Sequence, residues 1–133
     1  MCDVSQDMLS SLRAVLCWAH VDGRYRLHSS WCTADTLPFV QGSCEYSFDS
    51  GAGLIGRMDT SNQHCICSQF INTDTCVSMY HRKALALSNV ISLVRAIKHN
   101  SMVYEFVAQP GEFISDTVIL GYCAGSQKMF EVP

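Results

Sequence analysis

The chain has 133 residues, enough for one domain with a hydrophobic core, and we expect a single domain over residues 1–133. Its composition of 48% apolar and 16% charged residues excludes an intrinsically disordered chain. The net charge of −3 at pH 7 comes with scattered Lys and Arg, which argues against direct nucleic-acid binding because a basic patch is missing. No apolar run approaches the ~20 residues of a membrane span, so we expect no membrane partner.

The cellular compartment is predicted from the start of the sequence and from its cysteines. Residues Met1–Asp7 are acidic and lack the basic start and apolar core of a secretory signal, so we expect a cytoplasmic protein, with the nucleus as an alternative. Thiols stay reduced in these compartments, and the eight cysteines are irregularly spaced. We therefore interpret them as free thiols, and the sequence predicts no cofactor.

The first predicted elements are a helix and a hairpin. Val4–Leu12 has apolar residues at helical spacing, which predicts a short amphipathic helix packed on a sheet. Arg13–Val21 is nearly continuously apolar and predicts a central strand, followed by the turn signal Asp22-Gly23 and the alternating strand Arg24–Trp31. The apolar residues of this returning strand are Tyr25, Leu27 and Trp31.

Two less regular segments follow the hairpin. Cys32–Ser43 contains Pro38 and Gly42, which predict a loop folded onto the body of the domain. Glu45–Phe48 alternates polar and apolar residues and is predicted to be a third strand.

The stretch Phe48–Met58 reads F-D-S-G-A-G-L-I-G-R-M. Its glycines are Gly51, Gly53 and Gly56. Glycine is favoured where the backbone needs a positive φ or passes close to another segment, so we expect a tight structural turn at Ser50–Gly53. A short helix over Leu54–Asp59 is predicted next, with Leu54 and Ile55 buried and Arg57 at the rim.

The same glycines have the spacing G-x-G-x-x-G of the dinucleotide-binding fingerprint. That fingerprint needs a buried parallel strand directly before it, whereas residues 45–50 alternate like a half-exposed antiparallel strand. No Lys-Ser/Thr pair of a P-loop is present either. We therefore interpret the glycines as a turn and not as a phosphate site.

In the second half, Gln63–Gln69 is predicted to be extended, with Cys65 and Cys67 on one side. Asn72-Thr73-Asp74 offers an N-cap for a helix whose apolar residues share one face. These residues are Val77, Tyr80, Ala84 and Leu87. Asn89 follows the helix and is expected to adopt the left-handed conformation of a C-terminal cap.

The chain closes with a hairpin and one further element. Val90–Ile97 and Met102–Val107 are predicted strands. Ser115 or Asp116 is a candidate cap for a last helix within residues 112–124, and a strand over Thr117–Leu120 stays open as the alternative. The residues on one face of that helix are Val118, Ile119, Tyr122 and Cys123.

The run F-x-x-G-x-G-L-I-G-R resembles the signature of GAF domains. Arg82–Leu87, Val90–Ile97 and Met102–Phe106 resemble the second half of that family, so the resemblance covers Leu12 to Val107. It is closest to the amino-terminal GAF-like domains of plant-type basic helix-loop-helix regulators and to related stand-alone eukaryotic copies. The resemblance implies an α+β, GAF-like (profilin-related) fold with a central antiparallel sheet of five or six strands and helices on both faces.

The function implied by the resemblance is a non-catalytic regulatory or sensory module that binds a small molecule or a protein partner. One alternative is the interaction domain of a transcriptional regulator, acting without a DNA-binding segment of its own. The terminal helices would then form a homodimer or contact a regulator protein.

A ligand pocket in a GAF-like domain would be lined by residues from several elements, and aromatic side chains are typical of such pockets. The candidates are Trp18, Trp31, Phe39, Phe48, Phe70, Tyr80 and Cys65. The same side chains would equally fill an ordinary core, so a core without a ligand stays an open alternative.

An enzymatic alternative is a thiol-dependent reductase similar to free-methionine-sulfoxide reductases, which are GAF-like enzymes. Cys44 and Cys76 lie near places where those enzymes carry thiols, and Cys76 near a helix start could be activated. The family's cysteine in the glycine-rich turn is replaced here by Leu54-Ile55. We therefore expect no catalytic residues.

A zinc site was considered for His64, Cys65, Cys67 and Cys76. Structural zinc sites usually combine two C-x₂₋₄-C pairs, and no second pair stands at such a spacing. The sequence therefore predicts no metal site.

Overall fold

The computed structural model of the protein describes residues 12–60, 66–71 and 80–124. The strands in this part of the chain are β1 (Ala14–Val21), β2 (Arg24–Cys32), β3 (Ser47–Asp49), β4 (Cys67–Phe70), β5 (Leu93–His99) and β6 (Met102–Ala108). The α-helices are α1 (Leu37–Ser43), α2 (Gly53–Arg57), α3 (Lys83–Ser88) and α4 (Asp116–Ala124). Short 3₁₀ helices span Ala34–Thr36 and Met58–Thr60. None of the helices described is long and apolar enough to cross a membrane.

The strands form one sheet in the order β3-β2-β1-β6-β5-β4, and every neighbouring pair is antiparallel. The two hairpin turns, at Asp22-Gly23 and Asn100-Ser101, have positive φ at both central residues. This geometry matches the right-handed twist of the flanking strands. The predicted α+β architecture is confirmed, with six strands among the described residues.

Helices cover both faces of this sheet. On the first face, α1, α2 and α3 bury a cluster that includes Leu16, Val94 and Val107. On the opposite face, α4 packs its Ile119 and Tyr122 against a second cluster. Strand residues therefore alternate between two apolar environments, which explains why the first five residues of β1 and nearly all of β6 are buried.

A β-bulge interrupts the pairing of β1 with β2. Cys17 pairs with Ser29 but Trp18 pairs with Leu27, so His28 is an extra residue on β2. An extra residue reverses the alternation of side chains between the two faces of a strand. The bulge therefore places Trp31 on the face opposite to Leu27, so the apolar residues of this strand do not all lie on one face.

The segment Cys32–Ser43, predicted to be a loop, is largely helical. Pro38 lies in the first turn of α1, where the missing N–H of proline costs no hydrogen bond. Gly42 allows α1 and α3 to approach, because a Cβ at this residue would lie 2.8 Å from Leu85 Cδ2. Both residues that suggested a loop therefore have a role inside or beside a helix.

The helix before β5 also differs from its prediction. Helix α3 begins at Lys83, and its buried residue is Ala86, whereas Ala84 and Leu87 are exposed. Asn89 is not left-handed, with φ of −104°, and the left-handed residue is Val90, with φ of 56°. Two hydrogen bonds fix this ending, from Val90 N–H to Leu87 O and from Ile91 N–H to Ala86 O, which is the Schellman pattern.

The last element within the described residues is the helix α4, so the alternative of a strand over residues 117–120 is excluded. Ser115 Oγ accepts a hydrogen bond from the Val118 N–H at 3.2 Å and caps the helix. Ile119, Tyr122 and Cys123 are buried, as the spacing predicts. The first predicted helix, Val4–Leu12, lies outside the described residues except for Leu12.

Candidate functional site: an arginine inside an aromatic cage

The first face of the sheet contains a buried arginine at its centre. Arg82 is the N-cap residue of α3, and its side chain is only 1% exposed. Four rings surround its guanidinium carbon: Phe39 at 4.8 Å, Trp18 at 4.9 Å, Tyr80 at 5.1 Å and Phe48 at 5.9 Å from the ring centroids. All four distances fall within the range of cation–π attraction. We call Trp18, Phe39, Phe48 and Tyr80 the aromatic cage.

A fully buried carboxylate completes the site. Arg82 Nη2 donates to both oxygens of Glu105, which lies in the middle of β6. Trp18 Nε1–H donates to the same carboxylate at 3.0 Å. Arg82 Nη1 donates to Ser43 Oγ, and that hydroxyl donates to Phe39 O at 2.7 Å. Ion pair and cage thus form one connected network.

The charge of Arg82 is stabilised inside this network. Burial has the largest single effect and acts to lower the pKa of the guanidinium. The charge and hydrogen bonds of the Glu105 carboxylate, together with Tyr80 and Tyr46, outweigh burial, so the pKa lies above its ordinary value. Among the described residues, no hydrogen-bond acceptor reaches the Arg82 Nε–H. The guanidinium is therefore held as a cation, and its Nε–H has no acceptor in the part of the chain that the structure describes.

The glycine-rich turn supports one wall of the cage. Gly51 and Gly53 have φ of 89° and 63°, and a Cβ on Gly53 would lie 3.3 Å from the Phe48 ring. Phe48 packs edge-on against Trp18, with ring centroids 5.2 Å apart. The turn therefore positions a cage residue, which gives these glycines a structural role.

The structure brings four of the predicted pocket residues together and separates the others from them. Trp31 is on the opposite face of the sheet and is 36% exposed. Phe70 pairs with Leu93 at the edge strand β4 and is 57% exposed, also away from the cage. Cys65 lies outside the described residues.

Sequence reasoning missed Arg82, Glu105 and Ser43. A signal for Glu105 was present, because it is the one charged residue in the strand M-V-Y-E-F-V-A. A carboxylate at an inward position of an apolar strand requires a buried partner. The identity of that partner could not be predicted, since Arg82 is 23 residues away.

A second polar cluster lies at the edge of the same face. Tyr25 O–H and Ser50 O–H both donate to the Asp59 carboxylate, and Lys98 Nζ lies 3.5 Å from it. The hydrogen bonds from Ser50 and Tyr25, with the charge of Lys98, lower the pKa of Asp59. This cluster joins β2, β5 and the end of the glycine-rich stretch.

Three of the described thiols, those of Cys17, Cys44 and Cys123, do not have the surroundings of a nucleophile. Burial raises the pKa of Cys17, and it raises the pKa of Cys123 to about 12. Cys44 is exposed but lies at the C-terminal end of α1, the negative pole of the helix, whereas activated cysteines are found at N-termini. Cys76 lies outside the described residues.

Most residues of the zinc site that the sequence analysis argues against, namely His64, Cys65 and Cys76, lie outside the described residues. Within residues 12–60, 66–71 and 80–124, no three His, Cys, Asp or Glu side chains are grouped so that they could hold a metal ion.

The fold has clear counterparts among solved structures. The GAF domain of a two-component sensor histidine kinase from Bacillus halodurans matches with a TM-score of 0.62 and 11% identity, covering 94% of this chain and 87% of that one. The fold is that of a GAF domain. The GAF domain from Acinetobacter phosphoenolpyruvate-protein phosphotransferase matches with a TM-score of 0.53 and 11% identity, covering 95% of this chain and 81% of that one. No family model matches the sequence, and no curated protein is significantly similar to it.

Proposed function

We propose that this GAF-fold chain is a non-catalytic regulatory module that acts through contact with a protein, while its interior is closed by its own arginine. The observation that carries the proposal is the position of Arg82, whose guanidinium occupies the centre of the aromatic cage. A small-molecule site needs a concave space lined by apolar and a few polar groups. Here the side chain of Arg82 takes the place that a ligand would occupy among those groups.

The surroundings of Cys17, Cys44 and Cys123 support a non-catalytic role. Cys17 and Cys123 are buried, and their raised pKa values keep them protonated at neutral pH. A regulatory module in the cytoplasm or the nucleus, such as the interaction domain of a transcriptional regulator, needs no chemistry of its own.

The contact proposed is a homodimer through the outer side of α4. Phe113, just before this helix, is 69% exposed, and Leu120 within it is 49% exposed. Large apolar side chains at the surface favour association when they are covered by a partner. Leu120 projects from the helix whose other side packs on the sheet, so a second copy could cover it without disturbing the core.

The closed interior is tested by nuclear magnetic resonance on the full chain. The Trp18 indole N–H, hydrogen-bonded to Glu105, is the reporter for the cage. We expect its resonance to stay unchanged when nucleotides and other uncharged or anionic small molecules are added at millimolar concentration. A saturable shift of this resonance with any of these compounds would contradict the proposal.

The homodimer is tested separately by sedimentation of the full chain at micromolar to millimolar concentration. We expect a concentration-dependent dimer that Leu120→Lys weakens. Val21→Lys is the matched control, because Val21 is an apolar residue of similar exposure at the distant β1–β2 turn. A strict monomer, or equal weakening by both variants, would count against this contact.

A further inference from the structure

We propose that the aromatic cage is a binding site for an alkylguanidinium cation and that Arg82 is its built-in occupant. The inference deepens the proposed function and rests on its claim that Arg82 closes the interior. The inference specifies the class of molecule that would bind in the interior when the side chain of Arg82 is removed.

The groups around Arg82 select for positive charge. The face of an aromatic ring carries negative potential, and four such rings lie within 5.9 Å of the guanidinium carbon. Glu105 is fully buried and supplies a carboxylate whose negative charge is balanced in the described structure by Arg82. A neutral or anionic molecule in the same place would leave this carboxylate without a counter-charge, which is strongly unfavourable.

The acceptors also select for the shape of the cation. Glu105 accepts from one terminal nitrogen of the guanidinium, while Ser43 Oγ accepts from the other. A planar, forked cation presents donors in both directions at once, whereas an ammonium group is a point charge with no fixed fork. The site therefore favours an alkylguanidinium over an alkylammonium of similar size.

The tether of Arg82 explains why an external cation does not enter the closed protein. A side chain attached to the N-cap of α3 competes as an intramolecular ligand at high effective concentration. The apparent affinity for an external ligand falls in proportion to the fraction of molecules in which the site is open. The buried Arg82 Nε–H, which finds no acceptor among the described residues, is one place where this occupant fits incompletely.

The experiment removes the occupant and supplies a free one. Methylguanidinium is added to the full chain carrying Arg82→Ala, and both the midpoint of thermal unfolding and the Trp18 indole resonance are followed. We expect saturable binding at least about tenfold tighter than to the unsubstituted chain, in which the internal competitor is present. Methylammonium should bind the variant more weakly than methylguanidinium.

Two variants serve as controls. Arg82→Ala combined with Glu105→Gln should lose the binding, because the carboxylate that balances the cation is gone. Arg24→Ala removes an exposed arginine whose carboxylate partner is Asp49, and it should respond to methylguanidinium like the unsubstituted chain. This variant also corrects for general effects of a guanidinium salt on stability.

Each outcome decides the inference. If Arg82→Ala folds and shows no binding beyond that of the Arg24→Ala control, the inference is wrong. If the variant does not fold, recovery of the folded spectrum with methylguanidinium but not with methylammonium supports the inference, and no recovery overturns it. Failure here leaves the proposed function standing, because that proposal is measured on the unsubstituted chain with other compounds.

Discussion

At the scale of single residues, Gly56 and Gly51 show two separate reasons for a glycine. Gly56 lies close to the backbone of another residue, whereas Gly51 has a positive φ. A Cβ at Gly56 would lie 2.1 Å from Asp49 O, which is backbone and cannot move aside. A Cβ at Gly51 would meet nothing within 4 Å, although its φ is 89°. Gly51 in the turn and Gly56 in α2 are therefore required for different physical reasons.

We expect Gly56→Ala to be more destabilising than Gly51→Ala. Gly51→Ala should cost about 1–2 kcal/mol, the usual penalty for a Cβ at positive φ. Gly56→Ala should cost about 3 kcal/mol or more, since overpacking against rigid backbone forces the turn apart. Urea unfolding of both variants measures the two free energies, and an equal loss would show that the clash is relieved by movement of the turn.

The buried ion pair gives a second prediction at this scale. Arg82→Met replaces the guanidinium with an apolar side chain and leaves the Glu105 carboxylate buried without its counter-charge. Breaking such a pair typically costs about 3–5 kcal/mol of unfolding free energy. The matched variant is Arg24→Met, which breaks an exposed pair at 3.4 Å and should cost no more than about 1 kcal/mol. Comparable losses in chemical denaturation would mean that the buried pair adds nothing specific.

At the scale of elements, α3 ends on an unusual residue. Val90 is left-handed and 62% exposed, whereas the residue at this place of a Schellman ending is usually glycine. A β-branched side chain is strained at this position. Because the side chain of Val90 is largely exposed, its removal costs little buried apolar area. The ending is fixed by the hydrogen bonds of Val90 and Ile91 and by the burial of Ile91.

We therefore expect Val90→Gly to stabilise the protein by about 1 kcal/mol. The substitution removes the strain of a left-handed valine, and this gain is larger than the conformational entropy that glycine loses on folding. Val90→Ala, which keeps a Cβ, should change the stability by less than about 0.5 kcal/mol. Thermal and urea unfolding of the two variants provide the comparison. A destabilised Val90→Gly would show that the valine side chain makes a contact that its exposure does not reveal.

The same scale shows what the sequence could predict. Hairpins and the α4 cap were predicted well, because Asp22-Gly23 and Ser115 act on residues directly beside them. Helix α1 was missed, since the meaning of Gly42 depends on Leu85 of another helix. Local signals are thus sufficient where both partners are close in sequence.

The candidate site was harder to predict for the same reason. The four aromatic residues of the cage could be predicted from the elements that contain them. Trp31 was predicted wrongly, because the bulge at His28 in β2 moves its side chain to the opposite face of the sheet. Arg82 had no local signal at all, since His81-Arg82-Lys83 resembles any solvated cluster of charges. Only the tertiary partner Glu105 gives it a meaning.

At the scale of the whole molecule, stability depends on pH through groups whose pKa values change on folding. Asp59 has a lowered pKa in the folded state, so its contribution is present above the unfolded value of about 4 and is lost as the pH falls through the folded value. Burial raises the pKa values of Tyr25 and Tyr122. Their contribution is lost above about pH 10, because the unfolded chain releases these protons first. Maximal stability is therefore expected near neutral pH.

Part of the alkaline side of this profile can be assigned to the thiol of Cys123. In the folded state burial raises the pKa of Cys123 to about 12. In the unfolded chain the pKa of this thiol is about 8.5, that of a free cysteine. Between these values the unfolded state binds fewer protons, so stability falls with rising pH by up to about 1.4 kcal/mol per unit. Cys123→Ala should flatten this slope in urea unfolding between about pH 9 and 10.5, whereas Cys44→Ala, at an exposed thiol, should keep it. Equal slopes in the two variants would mean that Cys123 does not contribute to the alkaline loss of stability.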